Sequence, residues 1–421
     1  MRRLPASWFL RTVIILLVVP VALTLAYAHR PGDFAGYLLV GELGLRGEDI
    51  YRDVPANTWP PFFGLLCIPL ALLGRVSEYG ARTFWLLLNW AALVAALDLS
   101  TRLVHGKRLR IFGKTDASRR DVMPLETKMA LLPLLLCLYW MITSFEWLQI
   151  GLILFAMSLY GLLLHREGHH AAAGLLIGAA AAMKVMPVAF VPYFLWRRQW
   201  RAAFFTGLFA GVLTILPAAI YGWSRFADQF TTWLHVLDGG WGAGKRNLSV
   251  YAMFDRIIGH GYVPFMHPGS NEVAASGNGV VTLAVVASMA VVAFAGMWFF
   301  RGRYEPRSRA VVAEWSTVFL VASIFGTVGW RQYLVVLLLP MTLFVATWMN
   351  AEVDPAFSRK LKAVTWIAFA MGLATASALT GRALSDRLEM RSLHTMIALL
   401  LLGTLFWYRA RIAGATAQAG Y

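Results

Sequence analysis

The sequence predicts an all-α polytopic membrane protein. It reads as a single bundle of about 12 transmembrane helices, with loops gathered on one face and one helix lying at the membrane surface. Three observations carry this. Hydrophobic residues make up 59% of the chain and charged residues only 14%, with mean hydropathy +0.61, whereas soluble domains run near one quarter charged. Apolar runs of helix length recur from end to end. Lys and Arg concentrate in alternate loops between those runs, as cytoplasmic loops require.

The first run, Ser7 to Ala28, follows Met1-Arg2-Arg3 and ends in Ala26-Tyr27-Ala28, which mimics a signal-peptidase site. A signal's apolar core is about 7 to 15 residues, and this run nears the roughly 20 needed to span, so an uncleaved anchor is expected. Residues 29–82 form a first outer loop rich in acids and aromatics. Within it, "WPPFFGLLCIPLALLG" (59–74) is short for a span, and Pro60-Pro61 suits a first helical turn. It predicts a helix along or dipping into the outer leaflet. Further apolar runs lie at 83–101, 129–143, 150–164, 171–183, 185–196, 202–220, 279–300, 310–328, 332–349, 363–380 and 393–408. The pair 171–183 and 185–196 is broken at Lys184 and Pro187, which predicts a helical hairpin meeting at one membrane face.

Orientation follows from charge. Placing the N-terminus inside puts eight Lys/Arg of residues 102–128 inside, with 23 inside in total against 14 in the outer loops. The outer segments are then 29–82, "SFEWLQIG" (144–151), the Lys184 turn, the long loop 221–278, "GWRQY" (329–333) and 381–391. They hold 13 of the 22 Asp/Glu, so polar chemistry is expected on the extracytoplasmic face of a multi-pass plasma (inner) membrane protein. The net charge of +16 suits loops beside anionic lipid, and nucleic acid is not an expected partner. Cys67 and Cys137 lie in apolar runs, with no CxxC, Walker or HExxH motif, so neither disulfides nor a soluble nucleotide is implied.

An Asp in the first outer loop, Tyr37, Gly47-x-x-x-Tyr51 and "WPPFFGLLCIPLALLG" together resemble glycosyltransferase family 87. So do "LQIGLILFAMSLYGLLLHREGHHAAAGLLIGAAAAMKVMPVAFVPYFLWRRQWRA", "RNLSVYAMFDRI" and "WRQYLVVLLLP". The resemblance runs from about residue 30 to 350 and departs at two points. The Gly-Gln signature is scrambled around Gln149 and Gly151, and Gln332 stands where many relatives carry His. It implies a GT-C-like bundle moving a sugar, with mannose the best guess, from a polyprenyl-phosphate donor to a lipid or glycan acceptor in cell-envelope glycolipid biosynthesis.

Such transfer needs a base for the acceptor hydroxyl and fixed cations for the phosphate leaving group. The family match makes Asp33 the catalytic base, against the plainer role of capping the helix after it. Lys184, a charge at membrane depth, is a donor-phosphate candidate or a snorkelling lysine, and Arg256 and Arg331 are further phosphate candidates. Asn247 and Ser249 could contact sugar or cap a helix. Tyr37, Tyr51, Trp59 and Trp330 could line a sugar site or belong to the interfacial aromatic belt. Gln332 joins them as a substrate contact. Glu42, Glu48, Asp49 and Asp53 read as surface charges, and His235, His260 and His267 lack metal-ligand spacing. With no Asp-x-Asp in the first outer loop, no metal or other cofactor is expected. The competing class is a lipid or glycolipid flippase, which would carry broken helices in both of two repeated halves. Only one broken pair is present here.

Overall fold

The computed structural model describes residues 21–51, 57–109, 125–238, 242–244, 246–261, 275–302, 305–350 and 353–418. Among these residues the chain is helical, without strands. Residues 21–28 are helical, and the rest of the expected anchor lies outside the described residues, as do Asp53 and His267.

The first outer segment supplies α1 (Phe34–Arg46) and α2 (Pro61–Val76), followed by the long α3 (Glu78–His105). Next come α4 (Leu125–Glu146), α5 (Gly151–Arg166) and α6 (His170–Met183). A 3-10 turn (Met186–Ala189) leads to α7 (Phe190–Trp196), α8 (Trp200–Tyr221) and α9 (Trp223–Asp238). After the short α10 (Val250–Phe254) come α11 (Gly279–Phe299) and α12 (Arg309–Ile324). A 3-10 segment (Arg331–Leu337) runs into α13 (Leu338–Trp348), followed by α14 (Pro355–Ala374), the one-turn α15 (Ser377–Thr380), α16 (Arg382–Met390) and α17 (Leu393–Gln418).

Five stretches are long and apolar enough to cross a membrane: Glu78–His105, Trp200–Tyr221, Gly279–Phe299, Arg331–Trp348 and Leu393–Ile412. The protein is thus an integral membrane protein. The shorter apolar helices run 10 to 17 residues. The break expected at Lys184 is present. The Lys184 backbone is extended (φ −158°, ψ 119°), and Pro187, lacking an amide proton, cannot continue α6. The chain turns there and returns through residues 186–196. α6 and α8 then run the same way, Gly174 against Phe205 and Gly178 against Ala210. A Cβ on Gly178 would lie 2.8 Å from the Ala210 amide nitrogen, so only glycine allows this approach of the two backbones.

α2 begins at Pro61 with Pro60 as its extended N-cap, as the Pro-Pro pair predicts. Its Cys67 face meets α1 so closely that a Cβ on Gly41 would fall 2.2 Å from the Cys67 carbonyl. α9 is amphipathic: Phe226, Gln229 and Trp233 are buried, while Trp223 and Leu234 face outward. Trp233 Nε1 donates to the Thr58 carbonyl at 3.1 Å, fastening α9 over the first outer segment.

One end of the bundle therefore carries residues 29–51, 57–59, 144–151, 184, 221–238, 242–244, 246–261, 327–333 and 381–392. At the other end Glu314 of α12, fully buried, meets Arg409 of α17, Arg197 and Tyr193.

Candidate active site

Asp33 sits just before α1, held there by the turn between α4 and α5. Its amide donates to the Trp147 carbonyl at 2.9 Å. Gly32 makes the approach possible. Its φ is +49°, and a Cβ would lie 2.8 Å from that same carbonyl oxygen, so a side chain is excluded twice, by backbone conformation and by space. The turn is itself tightly wound. Leu148 takes φ +49°, a conformation few non-glycine residues adopt, and its carbonyl accepts from Trp85 Nε1 at 2.7 Å. Gln149, buried in this turn, donates its side-chain amide to Asp33 Oδ2, and Arg30 pairs with Glu146 above it.

The Asp33 carboxylate does not cap α1. The residue is itself in a helical conformation (φ −72°, ψ −16°) and makes no side-chain cap hydrogen bond. Protein walls it on most sides while part of its surface still reaches solvent. Burial raises its carboxyl to about 6, a rise held back by the Lys184 charge and the Gln149 hydrogen bond. Lys184, buried in the break after α6, is lowered to about 8 by burial, offset by Asp33. Both groups lie outside the five spanning stretches. They sense one another without a contact ion pair, and the Lys184 ammonium lies 4.2 Å from the centroid of the Tyr333 ring. A carboxylate near 6 beside a retained ammonium can accept a proton at neutral pH and steady nearby negative charge.

The aromatic candidates are not an open platform. Tyr37 is fully buried, its ring centroid 4.7 Å from Trp59, 5.0 Å from Phe63 and 5.4 Å from Trp85. The Tyr51 hydroxyl donates to the Trp59 carbonyl at 2.7 Å. Tyr37 and Trp59 thus pack on one another with Tyr51 buried beside them, and none of the three presents an open aromatic face. The Tyr37 hydroxyl, beside the Ile150 amide, has no partner in hydrogen-bonding geometry.

Asn247, Ser249 and Arg256 gather elsewhere, as a brace. Asn247 Oδ1 accepts from the amides of Gly329 (2.9 Å) and Ser249 (3.1 Å), and its amide donates to the Thr327 carbonyl at 3.0 Å. The Ser249 hydroxyl caps α10 through the Ala252 amide at 3.0 Å. Arg256 donates to the carbonyls of Ala243 (2.9 Å), Gly244 (2.6 Å) and Asn247, and to the Ser392 hydroxyl (2.7 Å). Every nitrogen of the fork expected to meet phosphate thus donates within the protein. Gln332 is buried within the 3-10 segment that also carries Tyr333, and Trp330, half-buried and extended, precedes that segment.

Beyond the Trp147 turn lies a groove of about 1070 Å³. Leu132, Leu135 and Leu138 of α4 line its depth opposite Trp366 and Phe369 of α14. Leu135, Leu138 and Trp366 remain exposed, so the groove opens sideways on the apolar surface. Polar residues line its other end: Glu146, Arg246, Arg331, Arg382, Asp386 and Glu389. Arg331 Nη1 donates to Glu389 Oε1 at 2.7 Å and to the Tyr139 hydroxyl at 3.0 Å. The Arg246 guanidinium lies 5.4 Å from the centre of the Trp147 ring. An apolar trough with a charged mouth has the shape of an amphiphile.

Four contributors to this end escape sequence reasoning: Arg246, Arg382, Asp386 and Glu389. The only available signal is that each falls in a segment assigned to the outer face, whereas Gln149 was marked by the Gly-Gln signature without a role. Among the described residues, no group of three or more His, Cys, Asp or Glu is placed to hold a metal ion.

Fold and site define an integral membrane protein with an acid–base pair beside an amphiphile-shaped groove. The chain belongs to glycosyltransferase family 87, whose sequence profile matches residues 57–324, and its class of activity is glycosyl transfer. Asp33 precedes the matched stretch, and Arg331 and Glu389 follow it. Two solved structures of ArnT from Cupriavidus metallidurans also resemble the chain. The one bound to undecaprenyl phosphate has a TM-score of 0.44 at 13% identity, over 96% of this chain and 78% of that one. The apo form has a TM-score of 0.44 at 13% identity, over 94% and 77%. A search of curated proteins finds no match.

Proposed function

We propose that the protein moves a sugar from a polyprenyl-phosphate donor to an acceptor hydroxyl at the extracytoplasmic membrane face, with Asp33 as general base. One observation carries this reading. The Trp147 turn holds Asp33 through its carbonyl, while its indole lines the groove beneath Arg246. Base and amphiphile trough thus share a wall.

The lipid chain lies along Leu132, Leu135 and Phe369, with the phosphate between Arg331 and Arg246. Gln149 engages Asp33 Oδ2 and leaves Oδ1 for the acceptor. As the acceptor oxygen bonds to C1 of the sugar, its proton passes to Oδ1. The C1–O bond to phosphate breaks, and the electron pair leaves on the phosphate oxygen. Lys184 keeps positive charge beside this exchange, and the arginines meet the leaving group. No metal enters the scheme. Mannose remains the first sugar to test, and a glycolipid or glycan the first acceptor. The closed backs of Tyr37, Tyr51 and Trp59 assign them to supporting the base.

The test is transfer by the reconstituted protein from a panel of labelled polyprenyl-phosphate sugars. One sugar should be transferred by the native chain and at least about a hundredfold more slowly by Asp33→Asn. Transfer supported only by a nucleotide sugar would overturn the donor class.

A further inference from the structure

The groove's charged mouth is built largely by one short helix that the transfer scheme leaves unused. In α16, Arg382, Ser385, Asp386 and Glu389 follow the i, i+3, i+4, i+7 spacing that puts residues on one helix face, and all four line the groove. Leu384 and Arg387, on the other side, are exposed. The helix is pinned at two points. The Ser385 hydroxyl donates to the Thr375 carbonyl at 2.7 Å, and Glu389 accepts from Arg331 at 2.7 Å. This fixes the direction in which Arg382 and Asp386 face.

The polarity of the groove is graded. Residues 132–138 and 366–369 line it with hydrocarbon, Tyr139 and Thr143 begin the transition, and α16 closes the polar end. An amphiphile lying in it would bring its headgroup to α16. On α16 itself the Arg382 guanidinium is set against the Asp386 carboxylate, and Glu389 is already paired with Arg331, so the helix offers a phosphate no surplus positive charge and the phosphate stays with Arg246 and Arg331. A stripe carrying both a guanidinium and carboxylates suits a neutral, hydroxyl-rich group instead. Carboxylates accept from adjacent hydroxyls and the guanidinium donates to ring and hydroxyl oxygens, with charge-assisted bonds about twice as strong as neutral ones.

We infer that α16 is the sugar-recognition face of this site, with Asp386 and Arg382 reading the hydroxyl pattern of the donor's sugar. This rests on the donor reading above. The alternative source of such a headgroup, a glycolipid acceptor, is separated by the arms of the test.

The experiment uses the full chain in lipid nanodiscs and displacement of labelled polyprenyl phosphate. The competitors are unlabelled polyprenyl phosphate, its mannosyl, glucosyl, galactosyl and arabinosyl forms, and a mannosylated glycolipid without the phosphate. In the native protein one sugar-bearing phosphate should displace the label at about one tenth the concentration of plain polyprenyl phosphate, a tenfold preference equivalent to about 1.4 kcal/mol. Asp386→Ala and Arg382→Ala should each bring that ratio close to one and leave binding of plain polyprenyl phosphate unchanged. Asp386→Glu should restore part of it. Equal weakening of every competitor would make α16 a structural prop and overturn the inference, as would an unchanged ratio in both alanine variants. A loss seen only with the phosphate-free glycolipid would move α16 to the acceptor and overturn it too. No binding of polyprenyl phosphate by the native chain would instead remove the donor reading itself.

Discussion

Both ends of the bundle bury charge, and they treat it in opposite ways. At one end Glu314 is fully buried and saturated. Its Oε1 accepts from Arg409 Nε at 3.0 Å and Nη2 at 2.9 Å, and its Oε2 accepts from the Tyr193 hydroxyl at 2.9 Å with Arg197 Nε 3.2 Å away. Arg197 goes on to the carbonyls of Phe300 (2.8 Å) and Gly302 (3.0 Å). This cluster ties α7, α11, α12 and α17 together. At the other end Asp33 has one side-chain partner, Gln149, whose own carbonyl oxygen is buried with no partner. Lys184 rests against a ring rather than a carboxylate. Buried polar groups ordinarily find partners because leaving one unpaired costs about 1–3 kcal/mol. A saturated cluster has nothing left to offer a substrate, whereas under-satisfied groups beside a groove have capacity for one.

The sharpest way to break this comparison is to remove one carboxylate from each end. Asp33→Asn keeps size and most hydrogen bonding but cannot take a proton. Transfer should fall by about 10² to 10⁴, the usual contribution of a positioned base, with thermal stability close to native. Near-native turnover in this variant would end the assignment. Glu314→Ala should do the reverse. Stranding Arg409 and Arg197 without their partner should cost about 3–5 kcal/mol of stability, read as a lower thermal midpoint in detergent. Turnover per folded molecule should stay within a few-fold of native.

The two ends also differed in how far the sequence could expose them. Asp33 and Lys184 stood out because an ionisable residue beside a membrane segment is costly and therefore conspicuous, and the Pro187 break was visible as a missing amide. Glu314 and Arg409 looked unrelated because 95 positions separate them, and only folding pairs them. Tyr37, Tyr51 and Trp59 could be wall or platform, since an aromatic side chain reads the same whether its face is covered or open. The bracing contacts of Arg256 were hidden for a related reason. Its partners are mostly backbone carbonyls, and a carbonyl leaves no trace in residue type. The α16 stripe was periodic in the sequence, but its meaning depends on α4 and α14 building a groove beneath it. The apolar runs at 150–164 and 171–183 correspond to helices of 16 and 14 residues, because the turn at Lys184 is marked in the sequence by a charge and a proline.

A smaller effect separates the two halves of the site end itself. Lys184→Ala removes a charge that rests on the Tyr333 ring and senses Asp33 without a contact ion pair. Donor affinity, measured by displacement of polyprenyl phosphate, should weaken by roughly tenfold, in keeping with about 1–2 kcal/mol for one partly screened charge. Lys184→Arg, which restores charge on a longer fork, should recover part of it. A variant that binds donor normally but turns over slowly would shift Lys184 from holding phosphate to tuning Asp33.

The smallest effect expected is on pH dependence, and it isolates Gln149. A base works only when ionised, so with the Asp33 carboxyl near 6, kcat/KM should rise with pH through about 6. It should decline again above about 8 as Lys184 loses its charge. The Gln149 hydrogen bond favours the ionised carboxylate. Gln149→Leu removes it while keeping a side chain of similar length in the turn. The carboxyl should then titrate higher, and the acidic limb should move up by about one pH unit, since a hydrogen bond to a charged group is worth about 1.5–3 kcal/mol and 1.36 kcal/mol corresponds to one unit. The deficit should therefore be largest near pH 6 and should shrink toward pH 8. A turn that had merely lost its packing would lower activity by the same factor at every pH. If the acidic limb of Gln149→Leu superimposes on the native one after scaling, Gln149 does not act through Asp33, and the under-satisfied character of this end has to be explained by the fold alone.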